Sequence, residues 1–254
     1  MSRATGKPYG PIAACYDEIF APMRDWAPVA RRHILGGILS RAEAGCDIAC
    51  GTGETALELA RMGIRMYAAD LSKEMCRLAA AKARRARLPL RVLHADMRDF
   101  RLPEPVDLVL CEFDAINHIP RKSDLTRVAK AAARALRPGG HFYFDANNQL
   151  ALRKLWPATF WIGKPRTSLV MHGGYDASRD LAWIDVEMFQ REGRLWRRSH
   201  ERVEEICWTA TEVRQSLRAA GFASIRAWDA TPFFAGNPFV HRGYRTIYLA
   251  RKVE

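Results

Sequence analysis

Short apolar runs alternate with longer amphipathic ones through the first 146 residues. Residues 46–50, 65–69, 91–95, 106–111 and 141–146 are apolar runs of strand length. Stretches of helical period with one apolar face separate them, beginning at Thr55, at Ser72 and at Ser123. Ser72 is placed to cap a helix over 72–87, with Glu74 in its first turn and Leu88-Pro89-Leu90 as the stop. Ser123 or Asp124 caps the next helix, over 123–136, and Pro138-Gly139-Gly140 is expected to end it. Strands alternating with helices at these lengths predict a parallel sheet with helices on both faces. Upstream, residues 12–20 start a helical segment and 28–39 form a basic helix, while 1–10 read as a flexible arm.

The rhythm changes after residue 146. Segments 167–175, 181–190 and 195–208 read as three strands, joined by turns at 176–180 and 192–194. Within 181–190, Trp183, Asp185 and Glu187 share one face and Ile184, Val186 and Met188 the other. This predicts an antiparallel lid inserted after the fifth strand. Thr209-Ala210-Thr211-Glu212 is then a capping box, and Gly221-Phe222 closes its helix. Two last strands, 223–229 and 246–251, complete the sheet.

One junction carries chemistry. The string CDIACGTGE at 46–54 runs from a buried strand through a loop almost without side chains into a helix. That unit lets a backbone approach a nucleoside ligand, and Asp70, closing the second strand, is placed to accept hydrogen bonds from ribose hydroxyls. A dinucleotide fingerprint wants a third glycine, where this chain has Ala56, and the phosphate loop G-x-x-x-x-G-K-[ST] is absent.

The DxxCGTGE form resembles the first motif of class I S-adenosylmethionine-dependent methyltransferases. Ala49 stands where many members carry the first glycine. Four more motifs follow in order: Ala69-Asp70-Leu71-Ser72, His94-Ala95-Asp96-Met97, the strand 106–111, and Leu136-Arg137-Pro138-Gly139-Gly140 leading into the fifth strand. The resemblance is carried by residues 46–146. It implies an α/β fold: a Rossmann-like, seven-stranded, mostly parallel sheet with helices on both faces, an antiparallel β insertion after the fifth strand, and a final hairpin whose last strand is antiparallel. The expected division is an arm and cofactor-binding core over 1–146, a lid over 147–208 and completion of the sheet over 209–254. The implied cofactor is S-adenosylmethionine, with S-adenosylhomocysteine as product. Ala49, Gly51 and Gly53 would admit it, Asp70 with Leu71 would hold the ribose, and Asp96 with Met97 the adenine. Tyr16 resembles a tyrosine that closes over the methionine part, or else packs a helix. Arg31 or Arg32 could meet the cofactor carboxylate.

Methyl transfer is an in-line displacement at an activated methyl, so an enzyme mainly aligns the acceptor and excludes water. The loop Cys111-Glu112-Phe113-Asp114-Ala115-Ile116-Asn117-His118 leaves the carboxyl end of the fourth strand, where open α/β sheets bind ligands. In the family it lines the methyl group, which places Glu112 at the cofactor. Asp114, Asn117 and His118 either orient or deprotonate an acceptor, or cap and pack the turn. Lid aromatics (Trp156, Phe160, Trp161, Tyr175, Trp183) and Phe233, Phe234 and Phe239 could surround the acceptor or pack a core. The polar pair His200-Glu201 could face the pocket. The insert with its H-E-x-V-x-E string resembles small-molecule N-methyltransferases, including those acting on amino sugars. The (D/N)-P-P-(Y/F) motif and the Pro-Cys pair of base methyltransferases are absent after the fourth strand.

Of the 254 residues, 48% are hydrophobic, enough for a sizeable core. No apolar run is long enough to span a membrane, and the start lacks a secretory apolar stretch, so a cytoplasmic protein without a membrane partner is expected. Six scattered cysteines without C-x-x-C read as reduced, buried thiols, with no metal. The net charge of +12 keeps an RNA substrate open, although a solvated arginine-rich surface explains it as well. The expected activity is methyl transfer to a nitrogen or oxygen of a small molecule, by a monomer or homodimer. RNA methylation and non-catalytic cofactor binding are the alternatives.

Overall fold

The computed structural model describes residues 9–10, 12–234 and 243–253. Phe239 and most of the arm over 1–10 lie outside them. A 3-10 turn (Ile12–Cys15) leads into α1 (Tyr16–Phe20) and α2 (Trp26–Leu39). The core then alternates: β1 (Ala44–Ile48), α3 (Glu54–Arg61), β2 (Arg65–Asp70), α4 (Lys73–Ala86), β3 (Leu90–His94), β4 (Val106–Cys111), α5 (Asp124–Ala135) and β5 (Leu136–Asn147). After α6 (Gln149–Lys154) come four lid strands, β6 (Thr159–Lys164), β7 (Thr167–Asp176), β8 (Leu181–Glu192) and β9 (Leu195–Ile206). Helix α7 (Ala210–Ala219), β10 (Phe222–Asp229) and β11 (Arg245–Lys252) finish the fold.

The seven core strands lie in the order β10-β11-β5-β4-β1-β2-β3. All pairings are parallel except those of β11, which runs antiparallel between β10 and β5, as the resemblance implied. Each face is covered. The apolar sides of α5 and α7 (Leu125, Val128, Ala132, Val213, Leu217) pack on one face, against Ile48, Val109 and Phe142. On the other, α2 and α3 (Trp26, Ala30, Leu35, Leu59) pack against Met66, Leu110 and Tyr143. Ser72 caps α4, accepting from the Met75 N–H at 3.3 Å, and Thr209 with Glu212 forms the predicted capping box.

The lid differs from the sequence expectation in having four strands, β6-β7-β8-β9, rather than three. Strand β6 is short, and its alternation between exposed and half-buried positions leaves no apolar face to recognise. The break expected at Pro138-Gly139-Gly140 is also different. Helix α5 already stops at Ala135, and the proline and glycines form an irregular segment within β5, where the pairing with β4 jumps from Leu136 to His141. The inner face of the lid (Leu169, Met171, Val186, Met188) packs on Ile12, Cys15 and Ile19. The amino-terminal segment is thus clamped between lid and core. All six cysteines are free thiols, and all but Cys50 are buried.

Candidate active site

Two adjoining cavities open at the carboxyl ends of β1, β2 and β4. The first, of about 360 Å³, lies over the glycine loop. Tyr16, Ala49, Gly51, Asp70, Leu71, Asp96, Met97 and Glu112 line it, as does the buried Asp47. Gly53 does not. It starts α3 at φ +84, and a Cβ there would lie 2.9 Å from the Ala79 Cβ, so its role is to let α3 and α4 approach. Gly51, at φ +53, is the opposite case, because a Cβ there would meet only Tyr16 Cε1 at 3.9 Å across the cavity. Ala49 also has positive φ, 53°, which a β-carbon makes unfavourable.

The loop is fixed from below and from the side. Asp70 accepts from the N–H groups of Gly51 and Ser72, both at 2.8 Å. Burial raises its pKa, and those N–H groups partly offset the rise. Thr52 donates to Asp17 at 2.6 Å, and Arg24 donates to the same oxygen at 3.0 Å, which brings α1 and Tyr16 over the loop. Beneath it, Arg31 donates to Glu112 and Glu58, and Thr55 donates to Glu112 at 2.8 Å. Arg31 is therefore engaged by carboxylates, not free for a ligand carboxylate, and Arg32 is exposed on α2. The second Glu112 oxygen is buried with no partner among the described residues. Burial, then Glu112, pushes the Asp47 carboxyl well up, with Arg31 opposing. At the far end Asp96 sits under Arg98, whose side chain and backbone hydrogen bonds outweigh burial and lower its pKa.

The second cavity, of about 520 Å³, lies between core and lid. Its wall is mainly apolar and includes Phe20, Trp26, Trp156, Phe160, Ile184 and Phe234. Tyr9, Tyr16, Arg24, Phe113 and His118 line both cavities and mark their junction. The floor is polar. Phe113 and Asp114 follow β4 at φ 61 and 48, a backbone strain of about 1–3 kcal/mol each. Asp145 answers it, accepting from the Phe113 N–H at 2.7 Å and the Asp114 N–H at 2.9 Å. Hydrogen bonds to a charged group contribute roughly 1.5–3 kcal/mol each, enough to hold the elbow. Burial pushes Asp145 up to about 6, Arg245 opposing.

Arg245 also donates to Asp114 at 2.9 Å and stacks over Trp26. Asn147 donates to Asp114 at 2.7 Å and to Glu205 at 3.3 Å. Burial, then Asp114, raises the Glu205 pKa well above its usual value. Single ligand atoms of Asp114, His118 and Glu205 lie within 4.8 Å of one another. Burial lowers the His118 pKa, with Asp114 opposing.

The sequence candidates thus part company. Asp114 and His118 line the second cavity. Asn117 lines neither and is fully buried: its amide donates to the carbonyls of Asn147 and Ile206 and accepts from the Asn147 N–H. It ties the 3-10 turn Ala115–His118 to β5 and β9 rather than meeting an acceptor. His200 stands on the outer face of the lid beside Asp185 at 3.1 Å, while Glu201 points inward and accepts from the Tyr9 N–H.

Residues 46–140 match the family model of a methyltransferase domain. The chain is 27% identical over 220 residues to YqeM of Bacillus subtilis (strain 168), a protein named as a methyltransferase, covering 84% of this chain and 86% of that one. It is also similar to the crystal structure of an S-adenosylmethionine-dependent methyltransferase from Clostridium acetobutylicum ATCC 824. That match has a TM-score of 0.81 at 24% identity, over 97% of this chain and 99% of the other. Residues 46–140 are thus a methyltransferase domain, and the findings support a class I S-adenosylmethionine-dependent methyltransferase. The sugar N-methyltransferase KedS8 from Streptoalloteichus sp ATCC 53650 shares the methyltransferase's fold, with a TM-score of 0.72 at 22% identity over 100% of this chain and 96% of that one.

The first cavity of the methyltransferase fits S-adenosylmethionine. The side-chain-free Gly51 leaves room for it, and the unpartnered Glu112 oxygen supplies a buried acceptor suited to an ammonium. Tyr9, Asp145, Glu205 and Arg245 escaped the sequence reading as site residues. Glu205 ends the H-E-x-V-x-E string, and counting alternate positions along β9 from Glu201 would have put it on the inner face.

Proposed function

We propose that the methyltransferase acts on a small molecule, at a nitrogen or an oxygen, held in the cavity between core and lid. The reading is carried by the second cavity: a half-open, mainly apolar chamber rich in aromatic side chains, whose polar floor of His118, Asp114 and Glu205 adjoins the cofactor cavity. The Trp156 indole N–H, buried without a partner among the described residues, offers one donor in its wall. The likeness to a sugar N-methyltransferase agrees with an acceptor of this size.

S-adenosylmethionine, when bound, supplies an activated sulfonium methyl. Asp70 and Leu71 hold the ribose, Asp96 and Met97 the adenine, and Glu112 with Asp47 the ammonium of the methionine part. Tyr16 closes over that end, and Ala49 and Gly51 pass the chain close beneath it. The lid excludes water and the floor orients the acceptor. Neutral His118 takes up the acceptor's proton by way of the Tyr9 hydroxyl, which passes its own proton to Nε2 as it receives the acceptor's, and Asp114 stabilises the imidazolium.

The test is transfer of a radiolabelled methyl group into an extract of the source organism, split into small-molecule, RNA and protein fractions. Label among small molecules, lost in His118→Ala, is the expected result. Label confined to RNA or protein would overturn the reading, as would cofactor binding without transfer to any fraction.

A further inference from the structure

The far end of the lid carries charge that methyl transfer does not use. Two turns meet there. Lys164 pairs with Thr167 across the β6–β7 turn, and Glu192 pairs with Leu195 across the β8–β9 turn. The Arg191 N–H donates to the Arg166 carbonyl at 2.9 Å, which joins them. Lys164, Arg166, Arg191, Arg194, Arg197 and Arg198 therefore crowd one edge, and every residue over 191–198 is exposed. Arg197 and Arg198 are paired with Glu192 and Glu187. The other four cations meet no carboxylate among the described residues. Within this collar stand Leu195, 76% exposed, and Trp196, 49% exposed.

Large apolar side chains left in water at a hairpin tip call for a partner, and the cations around them specify its sign. A nucleic acid would satisfy the arginines but offers no apolar layer to receive Leu195. The tip is convex, whereas single strands are bound in grooves lined with aromatic platforms. A bilayer surface supplies both parts, anionic headgroups at the level of the arginines and hydrocarbon a few ångströms below. Tryptophan is suited to that boundary, its ring apolar and its N–H polar.

The geometry points to the β8–β9 tip, with the neighbouring β6–β7 turn, as a docking surface for anionic phospholipid membranes. This is a peripheral contact. No helix among the described residues is long and apolar enough to cross a membrane, and none is needed. It departs from the sequence expectation of no membrane partner, since that expectation considered only spanning segments. It stands independently of the acceptor's identity.

The test is flotation of the full chain with vesicles of phosphatidylcholine alone and of equimolar phosphatidylcholine and phosphatidylglycerol. Binding to the anionic vesicles should be at least roughly tenfold tighter, and should weaken as salt is raised. The double variant Arg191→Glu, Arg194→Glu should lose at least roughly twenty-five-fold of it, about fivefold or more per cation. Leu195→Ser with Trp196→Ser, which leaves the charge intact, should also weaken it severalfold and abolish the blue shift of tryptophan fluorescence. Unchanged melting temperatures and methyl transfer in both variants show that the chain stays folded. No binding to anionic vesicles overturns the proposal. So does binding that depends on the arginines but not on Leu195 and Trp196 and is matched by polyuridylate, which would make the tip a general polyanion site.

Discussion

The Tyr9 hydroxyl and Nε2 of His118 are 2.9 Å apart, and the two rings meet edge-on at 5.8 Å. The other ring nitrogen, Nδ1, lies 3.3 Å from the Glu204 carbonyl, which can only accept. The proton of neutral His118 is therefore on Nδ1, and Nε2 accepts from Tyr9. Burial lowers the His118 pKa, so the neutral base persists to lower pH than a free imidazole. The rate should rise with pH through a midpoint below the usual histidine value and then level off. His118→Ala should lower kcat by about a hundred- to ten-thousandfold, with little change in KM, and remove that acid limb. A pH–rate profile unaltered by the substitution would leave His118 as packing only.

The two motif glycines should fail differently. Gly53→Ala drives a Cβ to 2.9 Å from Ala79 at a positive φ, so the cost falls on stability, about 1–3 kcal/mol. Gly51→Ala carries the strain of its positive φ, about 1–2 kcal/mol, but meets only the cavity, so the protein should still fold while cofactor affinity drops at least tenfold. Thermal melts and calorimetry on both variants separate the two effects. Equal losses of affinity at equal stability would contradict the assignment.

Glu205 bears on the pH dependence of stability. Its pKa is higher folded than unfolded, so its contribution is fully present at low pH and is lost as pH rises through the folded value. Glu205→Gln cannot ionise, and its amide can donate to the neighbouring Asp114 carboxylate. The melting temperature of the variant relative to wild type should therefore climb as pH rises above the usual glutamate range. A difference that stays constant as pH rises would show that Glu205 does not titrate with a raised pKa.

Asn117 is expected to matter for folding rather than for the reaction. Asn117→Ala leaves the Asn147 N–H and two carbonyls without their bonds in a dry interior, a cost of about 2–4 kcal/mol. Activity per folded molecule should fall by less than about tenfold, a change of under 1.4 kcal/mol. Denaturant titration with an active-site count distinguishes this from a role in the chemistry, which would lower turnover at full folding.

The cofactor half was legible in the sequence because its parts sit beside the strands that carry them. Gly51 follows β1 by three residues, Asp70 ends β2, and Asp96 follows β3 by two. A reader who locates the strands has also located the ligand side. The proposed acceptor half is assembled from Tyr9, Asp114, Asp145, Glu205 and Arg245, spread across 236 positions of separation between Tyr9 and Arg245. Each alone reads as an ordinary strand or loop residue. In the sequence Asp145 is only a residue of the fifth strand, and only the positive φ of Phe113 and Asp114 shows what it restrains. Ala49 carries a similar lesson. Its small side chain suggested an easy replacement for glycine, but the backbone there keeps glycine's φ.

The two cavities share five residues, and the lid that walls the second is one uninterrupted piece of chain between β5 and α7. On the proposed reading, one side of the acceptor chamber is therefore written in a single stretch of the gene, apart from its polar floor and from the cofactor half. Exchanging the lid for a relative's could redirect the enzyme to a new acceptor in a single genetic event, while the half that binds the methyl donor is inherited intact.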